Sequence, residues 1–188
     1  MADNLFYIPE SSPSKYEIRN FSKYFQPQQQ SNWCWIATSV AVANYYAAEK
    51  SVFPVEQSRQ CQVYADVVTT GRNACVENQQ FPNKLPGTHP CNQTGYPDVP
   101  MRHLQIFSHQ TLFSTLDPSV TPLILQALEA DEPIVIGYNT GHAATLYGYD
   151  NGQYLIADPW YGKKKYSFAQ LQDFRIDSSW LFFSKSPY

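Results

Sequence analysis

The sequence predicts an α+β fold of two lobes, helical first and antiparallel β second, meeting at a cleft. Three observations carry this. The run 34–48 is apolar almost all round and rich in alanine, the composition of a buried central helix. After Pro133 the apolar period changes from helical to strand-like. Asn151-Gly152 then stands between two β-type runs, a strong hairpin signal.

Residues 1–27 read as a polar arm interrupted by Pro9, Pro13 and Pro27. Residues 28–188 read as one domain, with the helical lobe over about 28–130 and the β lobe over about 131–188. Ser31 or Asn32 is the expected cap of the helix at 34–48, because either side chain can accept an orphan N–H of the first turn. A second helix is expected over 55–69, stopped by Gly71. Residues 72–100 read as irregular, punctuated by Pro82, Pro86-Gly87, Pro90, Pro97 and Pro100. Thr121-Pro122 opens a short helix, with proline in the first turn where its missing N–H costs nothing. Strands are expected over 134–138, 143–149, 153–157 and 180–184. No internal repeat is evident.

Composition narrows the function classes. At 188 residues the chain is one domain or one domain of two small lobes. With 43% hydrophobic and 15% charged residues it is too apolar to remain disordered. Thirteen Lys and Arg against 16 Asp and Glu leave a net charge of −3, so no strongly basic nucleic-acid footprint exists. Lys163-Lys164-Lys165 reads as a solvated turn. The run 33–48 is short for a membrane span and carries Thr38, Ser39 and Asn44. The N-terminus lacks a basic start followed by an apolar core, so a Sec-type signal is not expected.

The chemistry starts at Cys34. A thiolate attacks a carbonyl well, and the positive end of a helix dipole favours the anion. Cys34 stands at such a helix start, between Trp33 and Trp35. Of four histidines (His89, His103, His109 and His142), His142 opens the strand run that follows Gly141, in the lobe opposite Cys34. Asp158, before Pro159, ends the strand after the hairpin turn and is the candidate to orient an imidazole. A strict two-residue turn would put Asp158 opposite Thr145, on the wrong face for His142. A one-residue bulge puts it opposite Ala144, with His142 as its diagonal neighbour about 7–8 Å away at the backbone. The triad therefore requires a bulge or a three-residue turn. The backbone N–H of Cys34 and a side-chain amide from Gln28, Gln29 or Gln30 are candidate oxyanion donors. Cys61, Cys75 and Cys91 leave three alternatives open: one disulfide, free thiols, or a zinc site with His89 and His103, the last without Cys-x-x-Cys spacing.

The ordered set Gln28-x5-Cys34-Trp35, Gly141-His142-Ala143, Gly148-Tyr149 and Asp158-Pro159-Trp160-x-Gly162 resembles papain-like cysteine peptidases. Asn32-Trp33-Cys34-Trp35, and Asp rather than Asn at 158, look closer to two bacterial branches, the bacteriocin-leader peptidases and the type III effector peptidases. Gln60-Cys61, Ala74-Cys75 and Pro90-Cys91-Asn92 are similar to the effector-like branch, from which no cysteine pairing is carried over. Ile36-Ala37 stands where those branches commonly have Ala-Ala.

The resemblance implies a papain-like two-lobe fold and a cysteine peptidase working through a thioester. It implies Cys34 as nucleophile, His142 as general base and acid, Asp158 as orienter and Gln28 as oxyanion donor, without metal or organic cofactor. The expected partner is a protein or peptide substrate, with an inhibitor or immunity protein as a further one, and neither nucleic acid nor membrane. An acyltransferase, a deamidase, a peptidoglycan amidase and a catalytically silent binding module are the alternatives. The effector-like motifs suggest a bacterial protein secreted without a Sec signal and acting in another cell, against the alternative of a cytoplasmic enzyme.

Overall fold

The computed structural model describes residues 15–51, 56–113, 120–138, 141–173 and 179–187. In chain order the elements are β1 (Lys15–Glu17), α1 (Cys34–Glu49), α2 (Gln60–Val67), α3 (Ala74–Gln80), α4 (Asp98–His103), β2 (Phe107–Phe113), α5 (Thr121–Glu129), β3 (Ile134–Tyr138), β4 (His142–Asp150), β5 (Gln153–Asp158), β6 (Gly162–Ser167), α6 (Phe168–Asp173) and β7 (Ser179–Ser184). A single turn of 3-10 helix, Phe21–Lys23, follows β1 in the chain. The strands form one antiparallel sheet in the order β2-β7-β3-β4-β5-β6, with β1 paired to the free length of β4 beyond β3.

Helix α1 is the central helix that its composition predicts. Cys34 to Val42 and Asn44 to Ala47 are buried, and they pack with Ile134, Ile136, Ala144 and Leu146 of the sheet in one core. The expected cap fails. Trp33 holds the N-cap position and no side chain bonds into the first turn. Ser31 and Asn32 instead bond Asn92: its amide donates to Ser31 Oγ at 2.9 Å, and Asn32 Nδ2 donates to its carbonyl at 2.8 Å. They fasten the 85–93 loop to the helix start and leave the start itself open.

The region expected to be irregular, 72–100, holds two short helices. Asn73 caps α3, its side chain accepting from the N–H groups of Cys75 and Val76. In α4, Pro97 and Pro100 fall at the N-cap and in the first turn, where proline is tolerated. The second helix is shorter than expected, Gln60–Val67, and residue 55 lies outside the described residues. Strand β2 lies in the expected helical half yet joins the sheet through β7, so the lobes are not two contiguous pieces of chain.

The expected arm also needs correction. Residues 1–14 lie outside the described residues, but Ile18 and Phe21 are buried in the core and Ile18 N–H donates to Tyr147 O. The packed chain therefore begins by β1, not at residue 28. Lys163-Lys164-Lys165 is not a turn but the exposed middle of edge strand β6, where lysines discourage pairing with another chain.

The β4–β5 hairpin turns at Asn151 and Gly152, both at positive φ as a tight two-residue turn requires. Asp150 faces Gln153, Tyr149 faces Tyr154 and Gly148 faces Leu155. The register then shifts at Tyr147, so that Leu146 faces Ile156 and Thr145 faces Ala157. The bulge required for the triad exists, placed inside β4 rather than in the turn. Gly148 is necessary beside it: a Cβ there would lie 2.7 Å from Leu155 Cδ1 and 2.8 Å from the Tyr16 carbonyl.

Candidate active site

Cys34 is the first residue of α1, so its N–H has no partner within the helix and points out of the helix start. Two tryptophans fix this end. Trp33 stacks on Tyr64 at 4.8 Å and donates Nε1 to Cys91 O at 3.0 Å; Trp35 donates Nε1 to Gln93 O at 3.2 Å. Gly95 lies flat on the Trp35 indole, where a Cβ would come within 2.7 Å of the ring.

Across the cleft, Gly141 at φ 79° turns the chain into β4, and its carbonyl lies 3.8 Å from Cys34 Sγ. His142 follows. Its Nε2 bonds Asp158 Oδ2 at 2.9 Å, which leaves Nδ1 clear of that carboxylate, and the Cys34 side chain lies near enough to act on the imidazole's charge. Tyr138, the cross-strand partner of His142, lies parallel to the imidazole at 5.9 Å between centroids, and the Tyr161 ring meets it edge-on at 6.2 Å.

Asp158 is buried, and both oxygens are used. Oδ2 holds His142, while Oδ1 accepts from the N–H groups of Trp160 at 2.8 Å and Tyr161 at 3.0 Å. The residue is thus also the ordinary turn-starting aspartate that its place before Pro159 suggests. Burial raises the Asp158 carboxyl, but the His142 bond and charge and the two N–H groups hold it below its usual value. For His142 burial is the largest single influence and disfavours the charged ring. The bonds to Asp158 and Cys34 and the charges of both outweigh it, and the pKa rises from 6.5 to about 9. At neutral pH the ring is therefore protonated beside the sulfur and beside a carboxylate that stays ionised.

Gln28 lines the cleft with Cys34 and His142. Its Nε2 donates to Gln30 O at 2.9 Å and Ser31 O at 2.7 Å, while its Oε1 is buried with no hydrogen-bond partner among the described residues. Both amide protons therefore hold the 28–31 turn, and an oxyanion would have to draw one of them away. The other glutamines are engaged elsewhere. Gln30 is fully buried against Asn78, Phe81 and Leu85, and Gln29 Oε1 accepts from Asn78.

The cleft beside Gln28 encloses about 340 Å³, with Tyr138, Trp160, Tyr161 and Tyr166 in its walls. A smaller hollow of about 60 Å³ lies on the other side of Cys34 and His142, between Gly95 and Tyr96 and the ends of β3 and β7. Sequence reasoning missed Tyr138 and Tyr161. The hairpin that places Tyr138 opposite His142 was the available signal for the first.

Cys61 and Cys75 form a disulfide, while Cys34 and Cys91 are free thiols. The zinc alternative loses two of its ligands to that bond.

The Peptidase C39 like family model matches residues 18–187. A search of curated proteins gives no match. Among solved structures, a chain assigned as a C39-like peptidase from Bacillus anthracis superposes at a TM-score of 0.52 and 13% identity, covering 92% of this chain and 98% of its own. Xylellain, a cysteine protease from Xylella fastidiosa, reaches a TM-score of 0.49 at 11% identity, covering 94% and 90%. A double glycine motif protease from an AMS/PCAT transporter, solved with its leader peptide, reaches 0.45 at 17% identity, covering 84% and 88%. The first of these fixes the fold as that of a C39-like, papain-type chain.

Proposed function

We propose that this chain, which belongs to the Peptidase C39 like family and is a papain-like cysteine protease, hydrolyses peptide bonds with Cys34 as nucleophile, His142 as acid and base and Asp158 as orienter. The observation that carries the reading is the 2.9 Å bond between His142 and Asp158 in the same cleft as Cys34, whose sulfur lies 3.8 Å from the carbonyl of Gly141 next to His142. The sulfur attacks the carbonyl and forms a tetrahedral oxyanion. His142, already protonated, gives its proton to the leaving amine, and a thioester remains on Cys34. The neutral imidazole then takes a proton from water, which hydrolyses the thioester and restores the starting state.

The N–H of Cys34 and the amide of Gln28 are the proposed oxyanion donors. Gln28 serves by exchanging its bond to Ser31 O for one to the oxyanion. Protein or peptide is the proposed substrate, and the exposed rings of Tyr96, Trp160 and Tyr161 offer it apolar surface on both sides of Cys34. A role as a bacterial effector or toxin acting in another cell, with an inhibitor or immunity protein as its counterpart, belongs to the same proposal. Its support is the motif likeness to effector-type peptidases at Gln60-Cys61 and Pro90-Cys91-Asn92.

Product mass separates hydrolysis from acyl transfer. In oxygen-18 water, a cleaved peptide should carry one heavy oxygen in its new carboxylate. A product extended by an added amine instead would replace the hydrolase reading with an acyltransferase, and conversion of a glutamine side chain to a carboxylate would make the chain a deamidase.

A further inference from the structure

The 27–30 segment, which carries Gln28 into the cleft, hangs from α2 and α3. Gln60 of α2 accepts from Gln29 N–H at 3.0 Å and donates to Pro27 O at 2.9 Å. Asn78 of α3 bonds the side chains of Gln29 at 3.1 Å and Gln30 at 2.8 Å. Tyr64 of α2 stacks on Trp33, the residue before Cys34, and its hydroxyl donates to Pro90 O and accepts from Gln93 N–H.

Neither helix is long enough to be stable alone. α3 has seven residues, and its apolar hold on the core is small: Ala74 is fully buried, but Val76 is 45% exposed and Gln79 and Gln80 face solvent. Besides the Asn78 bonds and the bond from Gln30 Nε2 to Phe81 O, α3 is tied down by the bond from Cys75 to Cys61, next to Gln60 in sequence. That bond borders a polar hollow of about 290 Å³, lined also by Gln29, Ser58, Arg59 and Gln79, and Cys75 is half-buried rather than enclosed.

We propose that Cys61–Cys75 is a thiol–disulfide exchange site whose reduction switches the protease off by releasing the segment that carries Gln28. A dithiol supplies the two electrons. Its thiolate attacks one protein sulfur to form a mixed disulfide, and the other cysteine leaves as a thiolate and takes up a proton. The reductant's second thiol then displaces the remaining cysteine and closes its own cyclic disulfide. α3 is left without its covalent anchor, Asn78 lets go of Gln29 and Gln30, and Gln28, still tied at its N–H to Pro159 O, has a looser turn beneath its side chain. Cys34, His142 and Asp158 stay where α1 and the β4–β5 hairpin hold them. The enzyme then works only with Cys34 reduced and Cys61–Cys75 oxidised. The inference rests on the peptidase reading of Cys34 and Gln28.

The test titrates the full chain with dithiothreitol and maps its thiols by mass spectrometry. Peptidase kcat, Cys34 alkylation by iodoacetamide and amide hydrogen exchange are read on the same samples. Reduction of Cys61 and Cys75 should lower kcat by about tenfold to a hundredfold, short of the roughly hundredfold to thousandfold cost of removing one oxyanion donor outright. Exchange should speed up in α3 and residues 27–31 but not in β4 and β5, Cys34 alkylation should hold, and reoxidation should restore kcat. The Cys61→Ser, Cys75→Ser double variant should start at the low kcat and ignore the reductant. Oxidised Asn78→Ala should show the fall without any change of redox state. An unchanged kcat and unchanged exchange with both thiols free would overturn the proposal, as would a bond that resists reduction in the folded chain. Loss of protection throughout the sheet would overturn it too, making the bond a global staple. An oxidised chain that cleaves no peptide would count against the peptidase reading instead, and exchange in α3 and 27–31 would still decide the switch.

Discussion

A buried carboxylate 2.9 Å from Nε2 and the nearby Cys34 side chain set the protonation of His142, and with it the pH range of the site. Its folded pKa of about 9 lies above the ordinary 6.5, so its contribution to stability is complete below 6.5 and is lost as pH rises through about 9. Asp158 has the opposite sign: its lowered pKa contributes above the ordinary 3.8 and is lost as pH falls through the folded value. The two titrate as a pair. Activity that needs a protonated imidazole should therefore fall along a basic limb near pH 9. Asp158→Asn should move that limb down by about 1–3 pH units, because the opposite charge is gone. An amide can still hold the ring, so kcat should drop less than in Cys34→Ala. A limb that stays in place would mean that another group sets the His142 charge. Cys34, His142 and Asp158 were all legible in the sequence, since helix-start, strand-start and turn chemistry each leave a local mark. The choice of Gln28 over Gln29 and Gln30 came only from the resemblance. Three adjacent amides look alike in sequence, and only their long-range partners, Asn78, Phe81 and Leu85 among them, separate the structural ones from the one in the cleft.

At the scale of elements the shift at Tyr147 is what brings Asp158 and His142 to one face. Without it the pleat would turn Asp158 away, since a one-residue slip exchanges the faces of a strand. The need for a bulge could be argued from the sequence, but its position could not. It is fixed by β1, which pairs Glu17 with Gly148 and leaves no room for a side chain there. Gly148→Ala should destabilise the fold by about 1–3 kcal/mol, the usual scale of overpacking, and lower Tm by several degrees. Thermal unfolding followed by circular dichroism measures this. An unchanged Tm would mean that β1 gives way without cost and does not pin the bulge. Helix α1 and strands β3, β4, β5 and β7 were legible because their periodic runs are long or bounded by strong turn residues. α3 and α4 were not, because they are one or two turns long in a proline-punctuated stretch and are held by a cap, a disulfide and tertiary packing rather than an apolar stripe. β6 was hidden by its three lysines, whose composition says solvent but not whether the backbone is paired.

Taken whole, the molecule sets an α1 whose start is open against a sheet whose β4–β5 hairpin presents His142 and Asp158, with segment 15–30 strapped across both. That strap explains why residues 15–27 are part of the domain rather than an arm: β1 pairs with β4, Ile18 and Phe21 fill the core, and Gln28 N–H donates to Pro159 O beside Asp158. Prolines and polar residues made the segment look detachable, because two buried apolar residues in a short stretch leave no readable period. No helix among the described residues is long and apolar enough to cross a membrane. The central claim for the whole is that Cys34 carries the acyl group of a cleaved peptide. Rapid quenching of the full chain with an excess of an activated peptide ester, followed by intact-mass measurement and peptide mapping, tests it directly. One acyl adduct per chain should form, map to Cys34, disappear at the rate of turnover and be absent from Cys34→Ala. Turnover without an adduct, or an adduct on Cys91 or any other residue, would contradict it.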